Sequence, residues 1–218
     1  MHYKVKGKIV KTEFAAKSML QPSQEVISWI NSMKKVNNAL DYGCGKLRYA
    51  HKLSNICKNL TLVDSDEQII RVQKIKGTNT TLTAYTRKNI KNARLISIEK
   101  YFSDNLKYDI ALCSNVLSVI PSSRTRNKCL NRISYSLKLK GMCLFVTQFR
   151  DSYFKQIQLE STSVPHLDGW VSSKRKQNAF YGIINKENLE RMILKNGFNV
   201  IESWVHGSSA YVVGKKSK

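Results

Sequence analysis

Acidic residues are scarce in this 218-residue chain: 15 Asp and Glu stand against 37 Lys and Arg, a formal net charge of +22. A field of that sign attracts polyanions, and nucleic acid is the expected partner on charge alone. Paired cysteines are missing as well. The five cysteines, at 44, 57, 113, 129 and 143, form no C-x-x-C pair and no Cys/His cluster at zinc spacing, so a metal site is not expected. Their odd number and their place in apolar runs suit free thiols in a reducing compartment. No run of about 18 apolar residues is present, which excludes a membrane-spanning helix. The first residues, Met1-His2-Tyr3-Lys4, lack the apolar stretch of a secretory signal, and the expected location is the cytoplasm. Internal repeats and low-complexity linkers are absent too. The length therefore suits a single domain with a small appendage.

What is present is an alternation of strand-like and helix-like segments. After a basic stretch, Pro22-Ser23 reads as a helix start, with Ser23 as its cap and Val26, Ile27, Ile30 and Met33 on one face. Residues 38–42 read as a buried strand stopped by Gly43, 46–56 as a helix, 60–64 as a second strand and 67–75 as a helix. Residues 77–92 read as a long loop or exposed helix. Strands follow at 95–98 and 108–113. A helix over 124–139 would be closed by Lys140-Gly141, and a fifth strand covers 142–149. The rhythm breaks between 150 and 182. Asn185 then caps a helix that Gly197 ends, and strands at 198–206 and 210–215 form a hairpin around Gly207-Ser208-Ser209. Strand and helix in strict alternation predict a parallel sheet covered on both faces.

The sharpest local feature is Leu40-Asp41-Tyr42-Gly43-Cys44-Gly45-Lys46, at a strand end and opening a helix. Two glycines let the backbone turn tightly and approach a ligand closely. An acid at the end of the next strand, about 20 residues on, suits ribose hydroxyls, and Asp64 stands there. The G-x-G-x-x-G spacing of dehydrogenases is absent.

D-x-G-x-G followed by an acid ending strand two resembles motifs I and II of the class I S-adenosylmethionine-dependent methyltransferases. The resemblance is good over residues 36–150 and extends by element order to the closing antiparallel pair. It implies an α/β, Rossmann-like three-layer sandwich: a seven-stranded, mostly parallel sheet with an antiparallel C-terminal strand. An N-terminal helical segment and a small insertion after strand five are expected with it. The implied layout is a basic, helical extension (1–35), a cofactor-binding core (36–150), a substrate-side insertion or lid (151–182) and a C-terminal helix and hairpin (183–218). S-adenosylmethionine is the implied cofactor. Asp41 would anchor its amino-acid end, Gly43 and Gly45 would pass beneath its methionine part, and Tyr42 and Cys44 would count among the cofactor-binding residues of the same turn. Asp64 would hold the ribose, with Ser65 beside the adenine and Ser97 or Ile98 flanking it. Ser114 and Asn115 would lie near the methionine moiety and the acceptor. Leu47 replaces the third glycine of the longer pattern, and the acid usual after strand three is missing.

Methyl transfer needs a base only if the acceptor must lose a proton. His166, Asp168 and Tyr181 are the candidates in the insertion. Trp170 and Tyr153 could stack on a base, and Lys174-Arg175-Lys176 could meet phosphate. The expected activity is methylation of nucleic acid or of a component bound to it. A small-molecule methyltransferase and a catalytically inactive scaffold of the same fold are the alternatives.

Overall fold

The computed structural model describes residues 2–15, 19–150, 152–174 and 177–217, with the backbone alone at 14, 15, 152, 153 and 174. Its centre is a seven-stranded sheet. The strands are β3 (Val36–Tyr42), β4 (Cys57–Asp64), β7 (Ala93–Ser97), β8 (Tyr108–Ser114), β9 (Leu137–Gln148), β13 (Phe198–His206) and β14 (Ser209–Lys216). They lie in the order β13-β14-β9-β8-β3-β4-β7. The pairs from β7 to β9 are parallel, and β14 runs antiparallel between β9 and β13. Apolar runs make these strands, because a sheet covered on both faces buries consecutive side chains. Ala39, Leu60, Leu62, Ile110, Leu112 and Leu144 face one layer, with α1 (Gln24–Ser32), α2 (Ala50–Ile56) and α4 (Leu82–Asn89). Leu40, Tyr42, Val63, Ala111, Cys113 and Phe145 face the other, with α5 (Ile98–Ser103), α6 (Ser123–Ser136) and α8 (Lys186–Leu194). The two-residue alternation thus sorts each strand between two cores.

A second sheet has the order β1-β2-β12-β11-β10. The hairpin β1 (His2–Val5) and β2 (Lys8–Lys11) joins β10 (Val164–His166), β11 (Gly169–Lys174) and β12 (Gln177–Gly182). Its small core is Val5, Val10, Val171 and Phe180. Strand β12 packs against two short 3-10 turns, Thr12–Ala15 and Leu117–Val119. The N-terminal hairpin was not foreseen: its strands are four residues each and gain their partner from a segment more than 160 residues away.

Four sequence expectations need correction. The helix expected over 67–75 ends at Ile70 as α3 (Asp66–Ile70), and β5 (Gln73–Ile75) turns through Lys76-Gly77 into β6 (Thr78–Thr80). Both turn residues have positive φ, +47° and +84°, which suits a tight hairpin. The helix expected over 46–56 begins only at Ala50, because Leu47 is left-handed at φ +62°. The helix expected to reach Leu139 stops at Ser136, so Gly141 caps nothing. A Cβ on Gly141 would lie 2.9–3.2 Å from the carbonyls of Lys138, Tyr108 and Asp109, and glycine is needed there for β9 to close on β8. Ser23 does precede α1, but its hydroxyl meets Tyr211 Oη at 2.9 Å instead of capping the helix. The structure adds α7 (Ser152–Leu159) inside the insertion. Among the described residues no helix is long and apolar enough to cross a membrane, and no cluster of three or more His, Cys, Asp or Glu is placed to hold a metal.

Candidate functional site

The strand ends of β3, β4 and β8 meet at one cavity, part of it open to solvent. Leaving β3, the chain turns sharply through Gly43 (φ +75°) and Gly45 (φ +56°). The amides of Gly43 and Cys44 both donate to the Val63 carbonyl, at 2.8 and 3.0 Å, so the turn is pinned to the end of β4. A Cβ on Gly43 would fall well inside contact distance of Val116 Cγ2, so only glycine lets the turn and the Val116 wall lie together. Leu47 keeps a left-handed backbone although it carries a side chain, at a cost of about 1–2 kcal/mol. Its fully buried side chain offsets that cost, since burying a leucine contributes about 1.5–3 kcal/mol.

Asp64 closes the loop from the other side. Its Oδ2 accepts from the Gly45 amide at 2.7 Å and its Oδ1 from the Ser65 amide at 2.8 Å. Gln68 reaches back from α3 to donate to the Gly45 carbonyl at 2.7 Å. Burial pushes the Asp64 carboxyl up to about 6 against the pull of those two amides. Burial, with the nearby Asp64 charge, raises Asp41 to about 7, while Arg48 opposes the rise. Asp41 is 3% exposed, and its Oδ2 has no hydrogen-bond partner. Ser114 Oγ and Asn115 Oδ1, on the same cavity, have none either. Buried polar atoms without partners are costly, and three of them around one hollow mark a place for a polar ligand. Burial also raises the Cys44 thiol, which keeps it a neutral wall group.

Asp41, Tyr42, Gly43, Cys44, Gly45, Asp64, Ser65, Ile98, Ser114 and Asn115 all line this cavity. Ser97 does not: its Oγ accepts from the Lys100 amide and caps α5. None of His166, Asp168, Tyr181 and Trp170 is in the lining. His166 Nε2 lies 2.9 Å from the Pro121 carbonyl, Asp168 is paired with Arg126, and the Tyr181 ring packs on Phe154 at 6.4 Å. Trp170 is half-buried, cross-strand from both Pro165 and Tyr181. The side chains of Tyr153 and Lys174, and all of Arg175 and Lys176, lie outside the described residues. Missed from sequence were Lys46, Arg48 and Tyr49, which directly follow the glycine turn, and Val116, Val119 and Ile120, which follow Asn115. Extending each motif by a turn would have found them. Thr12 and Glu13 also line the cavity and carry no local signal, because the second sheet delivers them.

Residues 17–203 match the model of a family described as a methyltransferase domain. An uncharacterized Escherichia coli (strain K12) protein, YmfD, is 34% identical over 212 residues, spanning 97% of this chain and 95% of that one. Among solved structures, PH0226 from Pyrococcus horikoshii superposes with a TM-score of 0.68 at 17% identity, covering 93% of this chain and 95% of that one. The 1,6-didemethyltoxoflavin-N1-methyltransferase of Burkholderia thailandensis, solved with 1,6-didemethyltoxoflavin and S-adenosylhomocysteine, gives 0.63 at 13% identity, covering 94% and 81%. At such identities the two structures establish the fold alone. The family match over most of the length shows that this chain belongs to the methyltransferase-domain family, and its fold is the Rossmann-like fold of the class I S-adenosylmethionine-dependent enzymes.

Proposed function

We propose that this chain transfers a methyl group from S-adenosylmethionine to a small acceptor admitted beneath the second sheet. The observation that carries the reading is a single cavity that joins a glycine turn, the carboxylates of Asp41 and Asp64, and unpartnered polar atoms on Asp41, Ser114 and Asn115. The residues fit the cofactor. Asp64 keeps acceptor capacity on both oxygens for ribose hydroxyls, and Ser65, Gln68 and Ile98 line the wall beside it for adenine. Gly43 and Gly45 leave room for a methionine chain, whose ammonium suits Asp41 Oδ2 and Asn115 Oδ1 and whose carboxylate suits Arg48. When bound, S-adenosylmethionine supplies a methyl group already activated by its sulfonium, so alignment is the main task left to the protein.

The small-acceptor reading rests on the roof. Thr12 and Glu13 line the cavity from above, and β12 packs on both the Thr12–Ala15 and Leu117–Val119 turns. The bound small substrate of the Burkholderia enzyme, on the same fold, supports it. The net charge of +22 favours a second reading, a nucleic-acid acceptor. Incubation with radiolabelled cofactor and fractionated cell DNA, RNA, protein and small molecules tests both. We expect label in the small-molecule fraction with little dependence on salt. Label in nucleic acid that falls steeply with salt would establish the second reading, and no label in any fraction would leave a scaffold.

Cofactor binding is expected to depend on pH. Asp41 and Asp64 hold protons in the folded chain at pH values where ordinary carboxylates have lost them. For stability the sign is therefore inverted: these groups contribute least above about pH 7 and more as pH falls from there toward 4. A cationic ligand favours the ionised carboxylates, so binding releases protons. The Kd for S-adenosylmethionine should fall about tenfold per pH unit per proton released as pH rises to about 6, and level off above about 7.5. Calorimetry in buffers of different ionisation enthalpy measures the released proton. A flat profile would show that Asp41 does not face the charged end of the ligand.

A further inference from the structure

The sequence singled out His166 and Asp168, and neither reaches the cavity; both instead grip its wall. Asp168 sits in the turn between β10 and β11 and accepts both arms of the Arg126 guanidinium, at 2.5 and 2.8 Å. Arg126 is 3% exposed, and its Nε donates to the Ile120 carbonyl at 2.9 Å. Its guanidinium lies 5.6 Å from the centre of the Phe180 ring on β12. From the same turn, His166 Nε2 meets the Pro121 carbonyl at 2.9 Å. A carbonyl only accepts, so the His166 proton is on Nε2. Space for this fork is reserved. A Cβ on Gly182 would lie 2.7 Å from Arg126 Nη2 and 3.1 Å from Asp168 Oδ1.

Two adjacent carbonyls are thus held: Ile120's by Arg126 of α6, which Asp168 of the β10–β11 turn grips, and Pro121's by His166 beside that turn. They end the segment whose Val116, Val119 and Ile120 form the cavity wall opposite the glycine turn. Val116 closes directly on Gly43. We infer that Arg126, Asp168 and His166 are positioning residues that clamp this wall to the second sheet and so set the width of the cavity at its methyl-transferring end. The inference rests on the proposed cofactor reading and adds a determinant of what fits there. A bidentate guanidinium–carboxylate pair suits the role, because it fixes orientation as well as distance.

The test compares S-adenosylmethionine with its ethyl homologue, S-adenosylethionine, by calorimetry on the full chain. A fixed apolar wall discriminates one added methylene by about tenfold or more, so the wild type should prefer the methyl form by that factor. R126K keeps the charge and loses the fork, while H166A removes the second tie from a half-buried ring and keeps the test open should the buried substitution unfold the chain. Both should narrow the preference several-fold, and H166Q, which restores an N–H donor, should recover it. Equal weakening of both ligands with the ratio unchanged in R126K and H166A would make the clamp merely structural and overturn the inference, leaving the cofactor reading intact. A wild type that binds neither ligand would overturn both.

Discussion

Replacing Asp64 with asparagine is expected to weaken S-adenosylhomocysteine binding by about 100-fold or more, the largest effect of any single substitution in the cavity. A carboxylate accepts on both oxygens, and here both backbone amides, of Gly45 and Ser65, already point at them. An amide keeps one oxygen. Its NH₂ would face one of those N–H groups, donor against donor, and the glycine turn would keep only its Val63 tie to β4 intact. The proposed ribose hydroxyls would lose a charged acceptor at the same time. Hydrogen bonds to a charged group are worth about 1.5–3 kcal/mol each, so losing two gives about two orders of magnitude or more. Calorimetric titration of D64N checks the value, with circular dichroism to confirm the fold. A change of less than about fivefold would place the ribose elsewhere and remove the central support of the proposed function.

Gly43→Ala should be nearly as damaging, by a different route. The new methyl group would collide with Val116 Cγ2, and the backbone would be held at φ +75° where alanine is strained. Strain of about 1–2 kcal/mol adds to an overpacking cost of about 1–3 kcal/mol. The variant should lose several degrees of Tm and much of its affinity for S-adenosylhomocysteine, because the glycine turn and the Val116 wall, which both line the cavity, must move apart. The double variant G43A/V116A separates the two causes. It relieves the collision and leaves the φ penalty, so stability should recover in part while binding stays weak. Full recovery of both would mean that steric contact alone dictates glycine at this position.

The contrast between these two residues and the rest of the site shows what a sequence can carry. Asp41, Gly43, Gly45 and Asp64 were legible because strand–turn–helix–strand is a local pattern: 24 residues hold all four. Ser114 and Asn115 were legible from their place at the end of the fourth core strand. Ser97 stands outside the cavity lining, because a serine at a strand end is equally suited to cap the helix that follows, and its Oγ is turned to the Lys100 amide. His166 and Asp168 belonged to the right region, but their partners, Pro121 and Arg126, are more than 40 residues away. No local signal distinguishes a carboxylate that meets an acceptor from one held by a guanidinium. The end of α6 was misjudged for a related reason. Gly141 looks like a helix stop, and only the backbone of β8 beside it shows that close strand packing demands it.

The sequence by itself determined the order of the central strands, their two-sided burial and the glycine turn with its paired acid that lines the cavity. Each of these depends on hydrophobic period or turn chemistry within a few dozen residues. Tertiary structure alone decided the roof. A hairpin from residues 2–11 pairs with strands near residue 180, brings Thr12 and Glu13 over the cavity, and lets the turn at residues 166–168 hold its wall. Short strands without a long apolar run are fixed by the partners they find across the chain, and that pairing is a property of the folded whole.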